Sequence, residues 1–78
     1  MLFRSVERVA VLPAHRGEGH GAEVMREVEG VAAARDYDRV VLNAQTRSAG
    51  FYDRRGYERV GEEFEEAGIP HVEMRKPL

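Results

Sequence analysis

The chain has no cysteine, a single lysine (Lys76) and no long apolar run. Without cysteine there is no disulfide framework and no thiolate metal site. Without an apolar stretch of about 18 residues there is no transmembrane-helix candidate. The N-terminal run Met1–Pro13 carries no long apolar segment followed by a small-residue cleavage site, so no signal peptide is expected and a cytoplasmic protein is. The three histidines show no metal-ligand spacing. A net charge of −2 with acids and bases interspersed argues against nucleic acid as a partner.

What is present is compact and rich in arginine and glycine. Seventy-eight residues allow one domain, residues 1–78. A chain this short buries only about 60% of its unfolded surface, so its core is marginal and a ligand or second chain would help it. Arginine outnumbers lysine eleven to one, which supplies rigid guanidinium groups suited to phosphates.

The hydrophobic pattern alternates strand and helix. Residues 5–12 predict a strand, with Val9 and Val11 on one face and Arg8, Ala10 and Leu12 on the other. Pro13 ends it. A helix is expected from about Gly19, with Val24, Met25, Val28, Val31, Ala32 and Arg35 at three- and four-residue steps. It runs through Gly30 despite that residue's cost and stops near Asp36. Residues 39–44 predict a second strand, whose three consecutive apolar residues suit a parallel sheet buried on both faces. A short helix follows, with Ser48 as N-cap and Gly56 just past its C-terminus. Two further strands, joined by a turn around Ala67 and Gly68, predict a closing hairpin. The acidic cluster Glu62, Glu63, Glu65 and Glu66 reads as a solvated strand-and-turn face.

Three glycines at alternate positions, Gly17, Gly19 and Gly21, sit between the first strand and the first helix. Fixing glycine costs more backbone entropy than fixing any other residue. A plain turn is one reading. A dinucleotide fingerprint using Gly17, Gly19 and Ala22 is a second. It fails on context: Pro13 to Arg16 separate strand from glycines, and the second strand ends in Asn43 and Ala44 rather than an acid. The third reading is a loop whose bare N–H groups, with the positive end of the helix dipole, hold a pyrophosphate. Arg16, Gly19 and Gly21 have the R-x-x-G-x-G spacing of such a loop. No G-K-[ST] follows, which excludes a nucleoside-triphosphate P-loop.

With these blocks in place, the chain resembles the GNAT superfamily of acetyl-CoA-dependent N-acetyltransferases. Residues 6–25 are similar to that family's fourth strand, pyrophosphate loop and third helix. Residues 39–64 are similar to its fifth strand, the following helix with an F-Y-x-x-x-G-[YF] signature, and its sixth strand. Residues 65–76 are similar to the closing segment of the ElaA-like branch. The family's earlier strands and helices, which form much of the acceptor pocket, have no counterpart. The resemblance is to the cofactor-binding half of the domain. Two positions depart from the family's habit: His20, where an aliphatic residue is common, and Asp36, where glycine is common.

The resemblance implies an α/β half-GNAT fold, β-α-β-α-β-β, with a mixed sheet whose two parallel strands splay around the cofactor arm. It implies acetyl-CoA as cofactor and a small-molecule or peptide amine as acceptor. Backbone groups of Val9, Ala10 and Val11 would meet the pantetheine arm. Arg16, Gly17, Glu18, Gly19, His20 and Gly21 would cradle the pyrophosphate. Tyr52 would contact the cofactor and protonate its leaving thiolate, and Asn43, at the end of the second strand and facing the splay, would bind the cofactor arm or the helix after it. Glu7, which shares a face with Val9 and Val11, is a candidate general base. Because the first strand would otherwise expose an apolar edge, a homodimer or a partner chain covering that edge is expected. The alternative is a non-catalytic acyl-CoA-binding or interaction module, or a truncated remnant of an acetyltransferase.

Overall fold

In the computed structural model, which describes residues 3–4, 8–12 and 21–78, the polypeptide forms five strands and two α-helices. These are β1 (Phe3–Arg4), β2 (Val9–Leu12), α1 (Ala22–Ala34), β3 (Arg39–Gln45), α2 (Ala49–Arg54), β4 (Glu58–Glu66) and β5 (Ile69–Pro77). A single 3-10 turn, Thr46–Ser48, leads into α2. The sheet order is β1-β2-β3-β5-β4. β2 and β3 run parallel, and the other pairs are antiparallel. The expected β-α-β-α-β-β order is therefore present, preceded by the two-residue β1. That short strand pairs Phe3 with Val11 and Arg4 with Ala10, so part of the expected open edge is lined by the chain itself.

Period-two alternation places the core on one face. Ala10 and Leu12 of β2, Val40, Leu42 and Ala44 of β3, and Val72 and Met74 of β5 share one cluster with Met25 and Ala32 of α1 and Ala49 and Tyr52 of α2. Both helices thus pack on the same side. The apolar stripe of α1 is narrower than its sequence pattern: Met25 and Ala32 are buried, but Val24 and Val31 are exposed. On the opposite face lie Val9, Val11, Val41, Asn43, Glu73, Val60 and Phe64. No helix among the described residues covers that face.

Both helices end in the same device. At the end of α1, the Tyr37 N–H donates to the Ala32 carbonyl and the Asp36 N–H to that of Ala33. At the end of α2, the Tyr57 N–H donates to the Tyr52 carbonyl and the Gly56 N–H to that of Asp53. These are paired Schellman bonds, which need a left-handed residue just past the helix. Asp36 supplies it at φ 62° and Gly56 at φ 92°. Ser48 does occupy the N-cap position of α2, but its side chain makes no capping bond, because the 3-10 turn holds it in helical conformation.

The β4–β5 hairpin turns on Ala67 and Gly68, both with positive φ, as a two-residue primed turn requires. β4 carries a bulge, where Gly61 to Glu63 face the single residue Val72. Glu62, Glu63 and Glu65 are exposed on this edge strand, as expected for a solvated acidic face.

Candidate functional site

The parallel ladder begins at Val9–Arg39 and ends at Leu12–Leu42. β3 then runs on through Asn43, Ala44 and Gln45, paired on its far side with Glu73, Val72 and His71 of β5. On the β2 side, no described strand meets these residues. Among the described residues, the backbone groups of Asn43, Ala44 and Gln45 on that side meet no strand, and such groups can pair with an amide-bearing ligand.

α1 begins close by in sequence, after residues 13–20. Its N-cap, Gly21, has extended backbone (φ −71°, ψ 162°) and makes no side-chain capping bond. The first N–H groups of a helix have no intrahelical partner, and they carry the positive end of its dipole. A Cβ added at Gly21 would meet nothing within 4 Å. Neither its dihedrals nor the described residues around it demand glycine. A glycine kept where folding does not need it suits close approach by a ligand.

The sequence-derived residues distribute as follows. Val9, Ala10 and Val11 lie in the paired part of the ladder. Ala10 and Val11 are flanked by β1 as well as β3. Val9 and Val11 share the open face as expected, yet Val9 is buried while Val11 is 37% exposed. Asn43 is half-buried, one residue past the last described β2–β3 pair. Glu7, Arg16, Gly17, Glu18, Gly19 and His20 lie outside the described residues.

Tyr52 is buried in the core beside the strand ends. Its ring meets Phe51 edge-on at 5.0 Å and Tyr57 at 5.7 Å, so it is held from both sides. Tyr57 is fixed in turn. Its hydroxyl donates to Glu29 Oε2 at 2.8 Å, and Lys76 Nζ donates to Glu29 Oε1 at 3.1 Å. Burial, reinforced by the Glu29 carboxylate, pushes the Tyr57 phenol well above its ordinary range. At the same C-terminal end of α2, Arg59 pairs with Asp53 at 2.7 Å, and this bond holds the Asp53 carboxyl below its usual value. α2 is thereby tied to α1, β4 and β5, and the position of Tyr52 is set by that frame.

The family model for the acetyltransferase (GNAT) domain matches residues 4–78. The chain belongs to the GNAT acetyltransferase family. It is 41% identical over 75 residues to the uncharacterised N-acetyltransferase YjcF of Bacillus subtilis strain 168, covering 95% of this chain and 54% of that protein. Escherichia coli ElaA superposes with a TM-score of 0.65 at 33% identity, over 80% of this chain and 42% of ElaA. A candidate N-acetyltransferase from Lactobacillus plantarum superposes with a TM-score of 0.84 at 25% identity, over 99% of this chain and 57% of that one. This GNAT chain spans about half the length of the relatives it matches.

Sequence reasoning passed over Gln45, Glu73 and the full placement of His71. Gln45 and His71 are the buried polar residues among those described, and they are register partners across β3 and β5. Gln45 Oε1 accepts from Arg47 Nε at 2.8 Å. His71 Nδ1 lies 2.7 Å from the Ile69 carbonyl, and its ring stacks on Phe64. The period-two pattern of β5 was legible, but which rows of β3 and β5 met was not.

Proposed function

We propose that this GNAT chain is the cofactor-binding half of an acetyl-CoA-dependent N-acetyltransferase, acting on an amine in the cytoplasm. The observation that supports the reading is a helix start at Gly21 without a side-chain cap, following a parallel β2–β3 ladder whose described pairs end at Leu12–Leu42. The residues present suit acetyl-CoA. The N–H groups at the start of α1, with the Arg16–Gly21 loop before them, would hold the pyrophosphate. Backbone groups of Asn43, Ala44 and Gln45 at the end of β3 would take the amide-bearing arm. When bound, the cofactor supplies an acetyl group activated as a thioester.

The chain's own residues would then handle protons. As the amine nitrogen bonds to the acetyl carbon and the carbon–sulfur bond breaks, Tyr52 Oη would give its proton to the sulfur, and Glu7 would accept the proton lost by the amine. The remaining acceptor wall would come from a second chain, either another copy or a distinct partner. Supporting this, Val11 and Phe64 are each 37% exposed on the sheet face that no described helix covers.

The test is release of free thiol from acetyl-CoA in the presence of a panel of primary amines. Thiol release that depends on the amine, and that falls in Tyr52→Phe, supports the transferase. Acetyl-CoA binding with no release for any amine supports the alternative, a non-catalytic acyl-CoA-binding module.

A further inference from the structure

The open face of the sheet changes character where β2 stops. Successive cross-strand rows on that face are Val11, Val41 and Arg75, then Asn43, Glu73 and Val60, then Gln45, His71 and Phe64. The middle row is the first beyond the last described β2–β3 pair. Asn43 and Glu73 are direct register partners, so their Cβ atoms are about 5 Å apart on one face. Both are half-buried, and neither side chain has a hydrogen-bond or ion-pair partner among the described residues. A partly desolvated carboxylate without a counter-charge is unfavourable unless something arrives to pair with it.

The neighbouring charged groups do not supply that partner. Arg75, two residues along β5 on the same face, is exposed and forms no ion pair with Glu73. Arg47 is held by Gln45. His71 is engaged with Ile69, with Glu66 3.7 Å from its Nε2.

We propose that Asn43 and Glu73 form the seat for the acceptor's ammonium group. The pair offers a carboxylate and an amide oxygen to a group with three N–H donors. Val41 and Val60, in contact positions beside it, suit the alkyl carbons that carry the amine. The seat lies on the face opposite the helices, so an amine held there approaches the end of β3 from the side away from the core. Naming its occupant the acceptor rests on the acetyl-transfer reading above. The existence of an ammonium site does not.

The experiment is a 1H–15N NMR titration of the chain with n-butylammonium chloride, with n-butanol as the uncharged control. Saturable shifts at Asn43 and Glu73, absent with n-butanol and weakened about tenfold or more in Glu73→Gln, are expected from loss of a charge-assisted bond. Asn43→Ala should weaken binding too, and Glu62→Gln should leave it unchanged. Thermal unfolding of each variant shows that the fold is retained. Shifts centred on the acidic strand β4, equal binding in Glu73→Gln, or no saturable shift would each overturn the seat. A parallel acetyl-CoA titration separates the two claims. Amine binding without acetyl-CoA binding would sink the transferase reading and leave the seat standing, and the reverse would sink the seat alone.

Discussion

Two tyrosines five residues apart divide the work at the end of α2. Tyr52 stands out in the sequence through the F-Y-x-x-x-G-[YF] spacing. On the proposed mechanism, Tyr52→Phe lowers kcat by about a hundredfold or more, the usual reach of a general acid, with acetyl-CoA affinity nearly unchanged. Steady-state kinetics beside a binding titration check both halves. Tyr57 has a structural role that the sequence does not advertise. Its partner Glu29 lies 28 residues away in the chain, and Lys76 lies 47 residues from Glu29, so no local pattern joins them. Tyr57→Phe removes one hydrogen bond to a largely buried carboxylate and should cost about 1–2 kcal/mol in urea unfolding. The same bond sets a pH dependence. Tyr57 is raised from an ordinary value of 10.0, so the unfolded chain ionises first. Its contribution is full below about pH 10 and declines as pH rises further. Unfolding at pH 8 and pH 10.5 should show a shallower alkaline decline in Tyr57→Phe than in the parent.

At the level of elements, the stop signals were more legible than the start signals. Asp36 and Gly56 mark helix ends because left-handed backbone restricts the choice of residue. Ser48 as a cap was less secure, because a 3-10 turn can carry the chain into a helix without any side-chain bond. Gly56→Ala should destabilise by about 1 kcal/mol from its positive φ alone, since a Cβ there meets only the flexible Lys76 chain at 3.6 Å. Ala67 presents the converse. It holds φ 53° with a side chain that gains nothing there, where asparagine is preferred. Ala67→Asn should raise stability by up to about 1 kcal/mol, read as an upward shift of the thermal midpoint. The bulge in β4 was not legible, because Gly61 is the only mark it leaves in an otherwise alternating strand.

For the molecule as a whole, the sheet is half-clothed. One face is closed by both helices over Met25, Val40 and Met74, each with no solvent exposure. Met74→Ala would open a cavity there and should cost about 2–5 kcal/mol, a large share of the stability of so small a domain. The composition and the α/β alternation made this layered design legible. They did not say that both helices share a side, because that depends on the connection crossing the sheet rather than on any residue type. The outer edge at β4 is studded with glutamates and bulged, which protects it from pairing with other chains. On the face opposite the helices, which no described helix covers, Val9, Gln45 and His71 are buried while Val11 and Phe64 are exposed.

The central claim is that the glycine loop and the start of α1 bind acetyl-CoA through its pyrophosphate. Calorimetric titration of the chain with acetyl-CoA, beside Gly21→Val and Gly19→Val variants, tests it most directly. Gly21 is the sharper probe, because added bulk there meets no part of the described protein. The account predicts micromolar binding that falls at least about tenfold in Gly21→Val, with the thermal midpoint little changed. Unchanged affinity in that variant, or no binding by a folded parent chain, would contradict it.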